Sequence, residues 1–490
     1  MKKKSLALNA FLNSLRSVLN IVFPLITFPY ISRILTVEGI GAYNFSSSIV
    51  SYFSMIAALG ISSYAIREGA KYRNDRNKIE RFSDEVFTIN MVSTLGAYIL
   101  LFLCLIIFSK LHSYILCILI FSLQIFFTTI GTEWIYQIYE DYTYITIRSI
   151  IFQIISIILL FILVRRANDY LNYAAITVLS ATGANVLNFV HARQYCHMHL
   201  VIHFNWKKHI IPILILFATS VTVMIYVNSD ITLLGLMKNN YVVGIYSISS
   251  KIYLMVKTVI NALVMVTIPR LAVFYGRKKI KNYNEILANL TNTLAVLVLP
   301  ASIGLFMLSK EVILIISGYK YLRATSSLQI LCFAYFFAVL NYVLNDGVLI
   351  VTKREKYALR GTVVSAIINI VFNLIFIPFW NENAAAISTV LAEMSLFIMD
   401  YHYSKDIVND IFKSRELLNS LVTSVIGCVG IVIICLLCNI GFQSMLLKTI
   451  LSVVLSVVIY GAILVLMKNK IALDMLDKVK MVLKNKIRRL

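Results

Sequence analysis

Apolar segments of membrane-spanning length dominate this chain of 490 residues. A helix of about 20 apolar residues crosses the roughly 30 Å hydrocarbon core of a bilayer. Fourteen such segments are predicted, and no stretch between them is long enough to fold as a soluble domain. The predicted spans are residues 10–35, 40–64, 86–109, 114–138, 142–164, 171–192, 210–237, 241–270, 286–309, 324–351, 357–378, 383–404, 418–438 and 446–467. We therefore expect an all-α polytopic membrane protein.

The net charge of +22 would suggest a nucleic-acid partner in a soluble protein. Composition and charge placement exclude that function, because 59% of the residues are hydrophobic and only 14% are charged. Most lysines and arginines fall in alternate loops and at the two ends of the chain. Loops rich in Lys and Arg stay in the cytoplasm. The pattern therefore predicts a membrane protein with cytoplasmic N- and C-termini and no nucleic-acid partner.

The sequence repeats itself at an offset slightly above 200 residues. Residues 41–49 read GAYNFSSSI, and residues 244–252 read GIYSISSKI. A second recurrence places an acidic residue before a tyrosine at a cytoplasmic turn: Glu133 with Tyr144, and Asp346 with Tyr357. Internal repeats of this size are typical of transporters that work by alternating access. Chance similarity among apolar helices is the alternative interpretation.

An offset of this size divides the chain into two lobes of six spans around a central lumen. The predicted N-terminal lobe is 1–205 and the predicted C-terminal lobe is 206–410. Residues 411–490 hold spans thirteen and fourteen and a tail in which apolar and basic residues alternate at helical spacing. We expect that tail to be a basic amphipathic helix on the anionic cytoplasmic leaflet or a docking helix for another protein.

Several segments resemble one family of bacterial membrane proteins. The segments are NIVFPLITFPYISRIL at 20–35, EGIGAYNFSSSIVSYF at 38–53, EWIYQIYEDYTYITIRSI at 133–150 and IINIVFNLIFIP at 367–378. Together they are similar to the polysaccharide repeat-unit flippases, the Wzx-like branch of the multidrug, oligosaccharidyl-lipid and polysaccharide exporter superfamily. Residues 381–383 read NEN, where members of that family often carry a glycine-rich sequence.

This resemblance implies a carrier in the bacterial plasma (inner) membrane. Its substrate would be an undecaprenyl-diphosphate-linked oligosaccharide, moved from the cytoplasmic to the outer leaflet for capsule or O-antigen synthesis. Membrane lipids and polysaccharide assembly proteins would be its other partners. The sequence has no P-loop of the form GxxxxGK[ST], so we expect transport to use a gradient of H+ or Na+ or the downstream consumption of the glycan. We expect no cofactor and no metal centre.

Six basic residues lie inside predicted spans, where a charge costs at least about 2.5–3.5 kcal/mol and is therefore usually functional. They are Arg16, Arg33, Arg148, Lys251, Lys257 and Arg360. Lys251 is the strongest candidate ligand of an anionic diphosphate, because it lies roughly 15 Å along its helix from the outer end. Arg16, Lys257 and Arg33 are further candidates. For each of these three, snorkelling or anchoring at the membrane interface is the alternative role.

Two acid–base pairs are predicted at the cytoplasmic gate. Glu133 precedes Arg148 in the first lobe, and Asp346 precedes Arg360 in the second. A structural ion pair within each lobe is favoured over a transport ligand, because removing one partner from a buried pair costs several kcal/mol. We expect both pairs to come within ion-pair distance in at least one state.

Glu393 and Asp230 are candidate proton or ion sites. Glu393 lies near the middle of the twelfth span and has no partner within its own helix. It is predicted either to carry a proton, to act as a counter-ion for Lys251, or to be a packed neutral side chain. Asp230, beside Asn228 and Ser229 in the seventh span, is a weaker candidate.

Other functions remain open at this stage. A multidrug/cation antiporter of the same superfamily would suit a lumen rich in carboxylates, which six basic residues in the spans argue against. A membrane polymerase, ligase or glycosyltransferase needs an acid/base or metal-binding constellation, which the short outer loops do not offer. We therefore expect a transporter and not an enzyme. A purely structural scaffold would not need charges inside the membrane.

Overall fold

The computed structural model describes residues 23, 24 and 26–487, and these are helical apart from short connections. Residues 26–34 form a helix that precedes α1. The remaining helices, in chain order, are α1 Val37–Ala58, α2 Ile61–Gly69, α3 Arg76–Ile107, a 3-10 turn Ser109–Tyr114, α4 Ile115–Gly131, α5 Glu133–Ile138, α6 Tyr142–Leu163, α7 Tyr170–Thr182, α8 Asn185–Ala192, α9 Trp206–Met237, α10 Asn240–Gly276, α11 Ile280–Met307, α12 Ser309–Ile316, a 3-10 turn Tyr319–Tyr321, α13 Ala324–Tyr342, a π-helix Val343–Ile350, α14 Glu355–Phe412, α15 Arg415–Gly441, α16 Met445–Leu466 and α17 Lys470–Ile487. The all-α class predicted from the sequence is confirmed.

Twelve helices in the described part of the chain are long and apolar enough to cross a bilayer. One of them, Glu355–Phe412, contains a break at Asn381, where φ is 48° and ψ is −124°. This helix covers the two predicted spans 357–378 and 383–404. Most of the predicted first span, 10–35, lies outside the described residues. The count of fourteen therefore stays a prediction.

Polar side chains fix where several of these helices begin. The side chain of Thr36 accepts a hydrogen bond from the backbone N–H of Gly39 at 3.0 Å, and Asp75 accepts one from Lys78 at 3.1 Å. Ser414 does the same at the start of α15. The first N–H groups of a helix have no partner within the helix, so such capping residues stabilise it by about 1 kcal/mol each.

The chain divides into two compact units, Met1–Ser247 and Ile248–Leu490. Unit one contains α1 to α9 and the first two turns of α10, and unit two contains the rest. Both copies of the repeated sequence are in helices, one near the start of α1 and the other in α10. The predicted lobes and central lumen describe the assembly of the whole chain and stay predictions.

Unit one has an aromatic core that includes a buried polar chain. The hydroxyl of Tyr64 hydrogen-bonds Nδ1 of His209 at 2.8 Å, and Nε2 of His209 hydrogen-bonds Oε2 of Glu85 at 2.8 Å. Phe82 and Trp134 belong to the apolar cluster around this chain. The three polar residues come from α2, α3 and α9. These hydrogen bonds therefore connect three helices where the basic loops begin.

Unit two has a second core in which α11, α15 and α16 pack together. The hydroxyl of Tyr460 donates to the carbonyl oxygen of Val296 at 2.5 Å and lies 3.1 Å from the hydroxyl of Ser424. Gly427 allows the Tyr460 ring to approach closely, because a Cβ there would lie 2.6 Å from the ring. These contacts hold the two C-terminal spans against the rest of unit two.

Candidate functional site

A buried ion pair lies inside the membrane-spanning part of unit two. Nζ of Lys257 donates to Oε1 of Glu393 at 2.8 Å. Lys257 is on α10, some 25 Å along the helix from its first residue at 1.5 Å per residue. The side chain of Glu393 is 2% exposed, and that of Lys257 is 20% exposed. The pair therefore has one fully buried member and one member that retains access to solvent or ligand.

Two neutral side chains complete the surroundings of the Glu393 carboxylate. The hydroxyl of Tyr253 donates to Oε1 at 3.1 Å, and Nδ2 of Asn341 donates to Oε2 at 2.7 Å. Asn341 also donates to the backbone carbonyl oxygen of Glu393 at 2.9 Å. Buried charges are tolerated when they are paired and hydrogen-bonded in this way. Three side chains therefore donate to the Glu393 carboxylate: one lysine and two neutral groups.

This geometry corrects one of the sequence interpretations. Glu393 has a partner, and its counter-ion is Lys257, not Lys251. Lys251 is partly buried and lies on the same helix. The side chains of Lys251 and Lys257 are six residues apart, about 120° around a helix of 3.6 residues per turn. The two lysines therefore point in different directions from α10, and only one of them neutralises the buried acid.

A second buried acid lies seven residues after Glu393. Asp400 is 0% exposed and accepts a hydrogen bond from Nδ2 of Asn345 at 3.3 Å. Its Oδ1 has no hydrogen-bond partner among the described residues. Asp346, the predicted gate residue, is partly buried on the neighbouring π-helix Val343–Ile350. Of Glu393, Asp400 and Asp346, only Glu393 is paired with a lysine among the described residues.

The two predicted gate arginines both lie over tyrosine rings. The guanidinium carbon of Arg148 is 5.9 Å from the ring centre of Tyr144, and that of Arg360 is 5.6 Å from the ring centre of Tyr357. A cation over an aromatic face is attracted by its quadrupole. In the part of the chain that the structure describes, Asp346 forms no ion pair with Arg360. Pairing with the carboxylates in another state stays a prediction.

Each of these tyrosines is itself stacked on another ring. Tyr144 stacks on His191 with 3.9 Å between ring centres, and Tyr357 stacks on Tyr403 at 4.7 Å. The tyrosines are 213 residues apart, and their stacking partners are 212 apart. The same arrangement of a cation and two rings therefore recurs once in each unit. The repeat therefore also includes the stacking partners His191 and Tyr403, which the sequence pattern did not indicate.

The other predicted site residues of unit one occupy separate places. Glu133 lines a polar cavity of about 100 Å³ together with Asn90 and Asn185. Asp230 is buried and accepts a hydrogen bond from the hydroxyl of Tyr246 at 2.5 Å. Arg33 is exposed at the end of the helical segment 26–34. Arg16 lies outside the described residues. Glu133 and Asp230 therefore have different polar neighbours, the two asparagines of the cavity for the one and Tyr246 for the other.

Sequence reasoning missed the partners that build the cage around Glu393. Tyr253 precedes Lys257 by four residues, so both lie on one face of α10, and Asp400 follows Glu393 by two helical turns. These spacings are visible in the sequence. Asn341 carried no comparable signal, because an amide among apolar residues of a span is also explained by packing.

A family model matches more than half of the chain. The model of the family described as "Polysaccharide biosynthesis protein" matches residues 6–274. The chain belongs to that family. A curated relative, the "Putative O-antigen transporter" of Shigella dysenteriae, is 23% identical over 394 residues, covering 77% of this chain and 95% of the relative. The sequence predicted a multi-pass membrane protein, and the family match and this relative agree with that prediction.

Solved structures show the same fold. The "Lipid II flippase MurJ, inward closed conformation" superposes with a TM-score of 0.73, covering 92% of this chain and 98% of that chain at 15% identity. An inward-facing multidrug resistance MATE family transporter of the MOP superfamily gives a TM-score of 0.58 at 13% identity, covering 81% of this chain and 99% of that chain. The chain therefore has the fold shared by these exporters.

Proposed function

We propose that this protein is a flippase that moves a lipid-diphosphate-linked oligosaccharide of the undecaprenyl class from the cytoplasmic to the outer leaflet by alternating access. The product would serve capsule or O-antigen polysaccharide synthesis. Membership of the polysaccharide biosynthesis family and the relative named as an O-antigen transporter support this proposal. The structural observation that carries it is Lys257, a cation held inside a membrane span by a buried acid.

The ion pair suggests how an ion gradient drives transport. When Glu393 is charged, Lys257 is neutralised and offers little attraction to an anionic diphosphate. When Glu393 takes up a proton, the lysine loses its counter-ion and becomes available to phosphate oxygens. Proton binding and substrate binding therefore favour each other, and this coupling must be reciprocal. A Na+ ion at the same carboxylate would release Lys257 in the same way.

Lys251 is proposed as a second ligand for the diphosphate. It lies on the same helix as Lys257, closer to the end that begins at Asn240. A substrate that passes from one lysine to the other would travel along α10 without leaving a cationic environment. Arg33 and Arg16 are proposed to act near the membrane interfaces. The predicted topology, with both termini cytoplasmic in the plasma membrane, is part of the same proposal.

Translocation can be measured in proteoliposomes with a fluorescent undecaprenyl-diphosphate oligosaccharide. A membrane-impermeant reductant bleaches only the molecules in the outer leaflet, so their rate of exchange between leaflets is read directly. We expect protein-dependent exchange that accelerates when a pH or Na+ gradient is imposed. Exchange no faster than in protein-free liposomes, with purified folded protein under both gradients, would refute the proposal.

The second candidate is a multidrug/cation antiporter, favoured by the likeness to the MATE family structure. The two functions differ in the charge of the substrate. Ethidium efflux driven by a cation gradient from the same proteoliposomes, without glycolipid exchange, would favour the antiporter. A polymerase or ligase would instead lengthen or transfer the glycan, which mass spectrometry of the recovered lipid detects. We propose transport without chemical change of the glycan.

A further inference from the structure

A large apolar groove lies on unit one, apart from the site described above. Its volume is about 740 Å³, within the range of small-molecule binding sites. One wall is the stretch of α3 from Thr88 to Leu95, and the other is the connection 200–204 together with the start of α9. Both walls belong to the end of the unit that carries the basic loops. The stretch of α3 that lines it is about 10 Å long, which is less than half of the roughly 30 Å hydrocarbon core.

Both hydroxyl groups in the lining of the groove are hydrogen-bonded within the protein. Thr88 donates its hydroxyl to the carbonyl oxygen of Asp84 at 2.7 Å and accepts from the N–H of Val201 at 3.0 Å. Ser93, the other hydroxyl of the lining, donates to the carbonyl oxygen of Ala57 at 2.6 Å. The remaining lining residues are apolar. A hydrocarbon chain fits such a surface, and a sugar or a diphosphate does not.

The second wall of the groove, the connection 200–204, is held in place by backbone hydrogen bonds to α3. The N–H of His199 donates to Oδ1 of Asp84 at 2.7 Å, two residues before the Val201 contact with α3. Leu200 and Ile202 are 63% and 89% exposed. An exposed apolar patch of this kind marks a site for lipid or another apolar partner.

The mouth of the groove is cationic. Trp206, which lines the groove, is 54% exposed, and the exposed residues Lys207 and Lys208 follow it in the first turn of α9. That turn contains no acidic residue. Tryptophan side chains concentrate at the membrane interface, and lysines beside them attract anionic headgroups. The apolar groove and its basic rim together match a molecule with one charged end and a hydrocarbon chain.

We propose that this groove binds an acyl chain of an anionic phospholipid of the cytoplasmic leaflet, with the headgroup phosphate at Lys207 and Lys208. The bound lipid would cover the connection 200–204 and fill the space between α3 and α9. This role is separate from the transported substrate. The proposed orientation of the protein in the membrane enters only where the groove is assigned to the cytoplasmic leaflet.

Tryptophan fluorescence tests the proposal with a probe that is already in the groove. The chain has three tryptophans, and replacing Trp134 and Trp380 with Phe leaves Trp206 as the only one. Phosphatidylcholine vesicles containing phosphatidylglycerol with brominated acyl chains should quench Trp206 at a lower mole fraction than vesicles containing brominated phosphatidylcholine. We expect about a fivefold difference or more, because each basic residue near an anionic lipid contributes roughly that factor.

Two pairs of variants distinguish binding of the lipid's acyl chain from binding of its headgroup. Val92→Phe fills the groove and should weaken quenching by both lipids, whereas Ile154→Phe, an exposed apolar position on α6, should not. The double variant Lys207→Gln/Lys208→Gln should remove the preference for phosphatidylglycerol, whereas Lys470→Gln should retain it. Circular dichroism and gel filtration confirm that each variant is folded.

Three results would overturn the proposal. Equal quenching by the two brominated lipids would mean that the groove is an ordinary lipid-facing surface. Absence of quenching would mean that another part of the chain covers Trp206. Relief of the quenching by one equivalent of undecaprenyl diphosphate would assign the groove to the transported substrate instead of a phospholipid.

Discussion

Gly41 and Gly244 each face the backbone of the helix that carries the other. A Cβ on Gly41 would lie 1.8 Å from the carbonyl oxygen of Asn240, and a Cβ on Gly244 would lie 2.2 Å from that of Val37. The two glycines are 203 residues apart, and so are Val37 and Asn240. Exchanging the two copies of the repeat therefore maps this contact onto itself, as in an isologous contact around a two-fold axis.

Gly41→Ala and Gly244→Ala should each destabilise the protein by about 1–3 kcal/mol, because a methyl group must displace backbone and not a flexible side chain. Gly96→Ala is the matched control, since nothing lies within 4 Å of a Cβ there. That change should stabilise helix α3 by up to about 1 kcal/mol. Thermal unfolding in detergent measures all three. Equal midpoints for Gly41→Ala and Gly96→Ala would mean that α1 and α10 do not pack this closely.

The pair formed by Lys257 and Glu393 should show strong coupling in a double-mutant cycle. Lys257→Met leaves a buried carboxylate without its counter-ion and should cost about 3–5 kcal/mol. Adding Glu393→Gln to Lys257→Met should recover much of that loss, because the amide is neutral and keeps its hydrogen bond from Asn341. Urea or thermal unfolding gives the four values. Additive losses would show that the two side chains act independently.

Lys251→Ala should abolish glycolipid exchange in proteoliposomes while the protein still inserts and purifies normally. The reason is that a cation near the middle of a span is costly and is retained for a ligand. Lys470→Ala serves as the control, because that lysine is exposed and pairs with Glu416 at 3.0 Å outside the predicted spans. A Lys251→Ala protein that exchanges the substrate at the normal rate would remove this residue from the transport path.

The helices were predictable from the sequence, whereas most side-chain partners were not. A span is a local property of about 20 residues, so its position follows from composition alone. Lys257 and Glu393 are 136 residues apart in the chain, on α10 and α14, and they meet only in the folded structure. For Arg148 the local partner, Tyr144 at four residues' spacing, was visible in the sequence. Pairing of Arg148 with Glu133 stays a prediction.

Asp400 shows that helical spacing can place two residues on one face without revealing what they contact. Its spacing of seven residues from Glu393 places both acids on one face of α14. The sequence does not show that Asn345, on the preceding π-helix, donates to it. A π-helix adds one residue to each turn and turns the following side chains to new directions, so helical spacing no longer predicts which of them face α14.

Glu393→Gln should make transport slow and insensitive to an imposed pH gradient, without unfolding the protein. The amide imitates the protonated acid, so Lys257 stays available to the diphosphate in both orientations of the carrier, and the cycle loses its proton-dependent step. Release of the substrate at the outer side should then limit the rate. In this variant no Glu393 carboxylate can lose a proton and compete with the diphosphate for Lys257. The test is glycolipid exchange at several pH gradients in the parent and in Glu393→Gln. Asp400→Asn is the informative comparison, since Asp400 is equally buried but pairs with no lysine in the described part of the chain. If the parent and Glu393→Gln respond equally to the gradient while Asp400→Asn does not respond, the proton site is Asp400, and Glu393 only holds Lys257 in place.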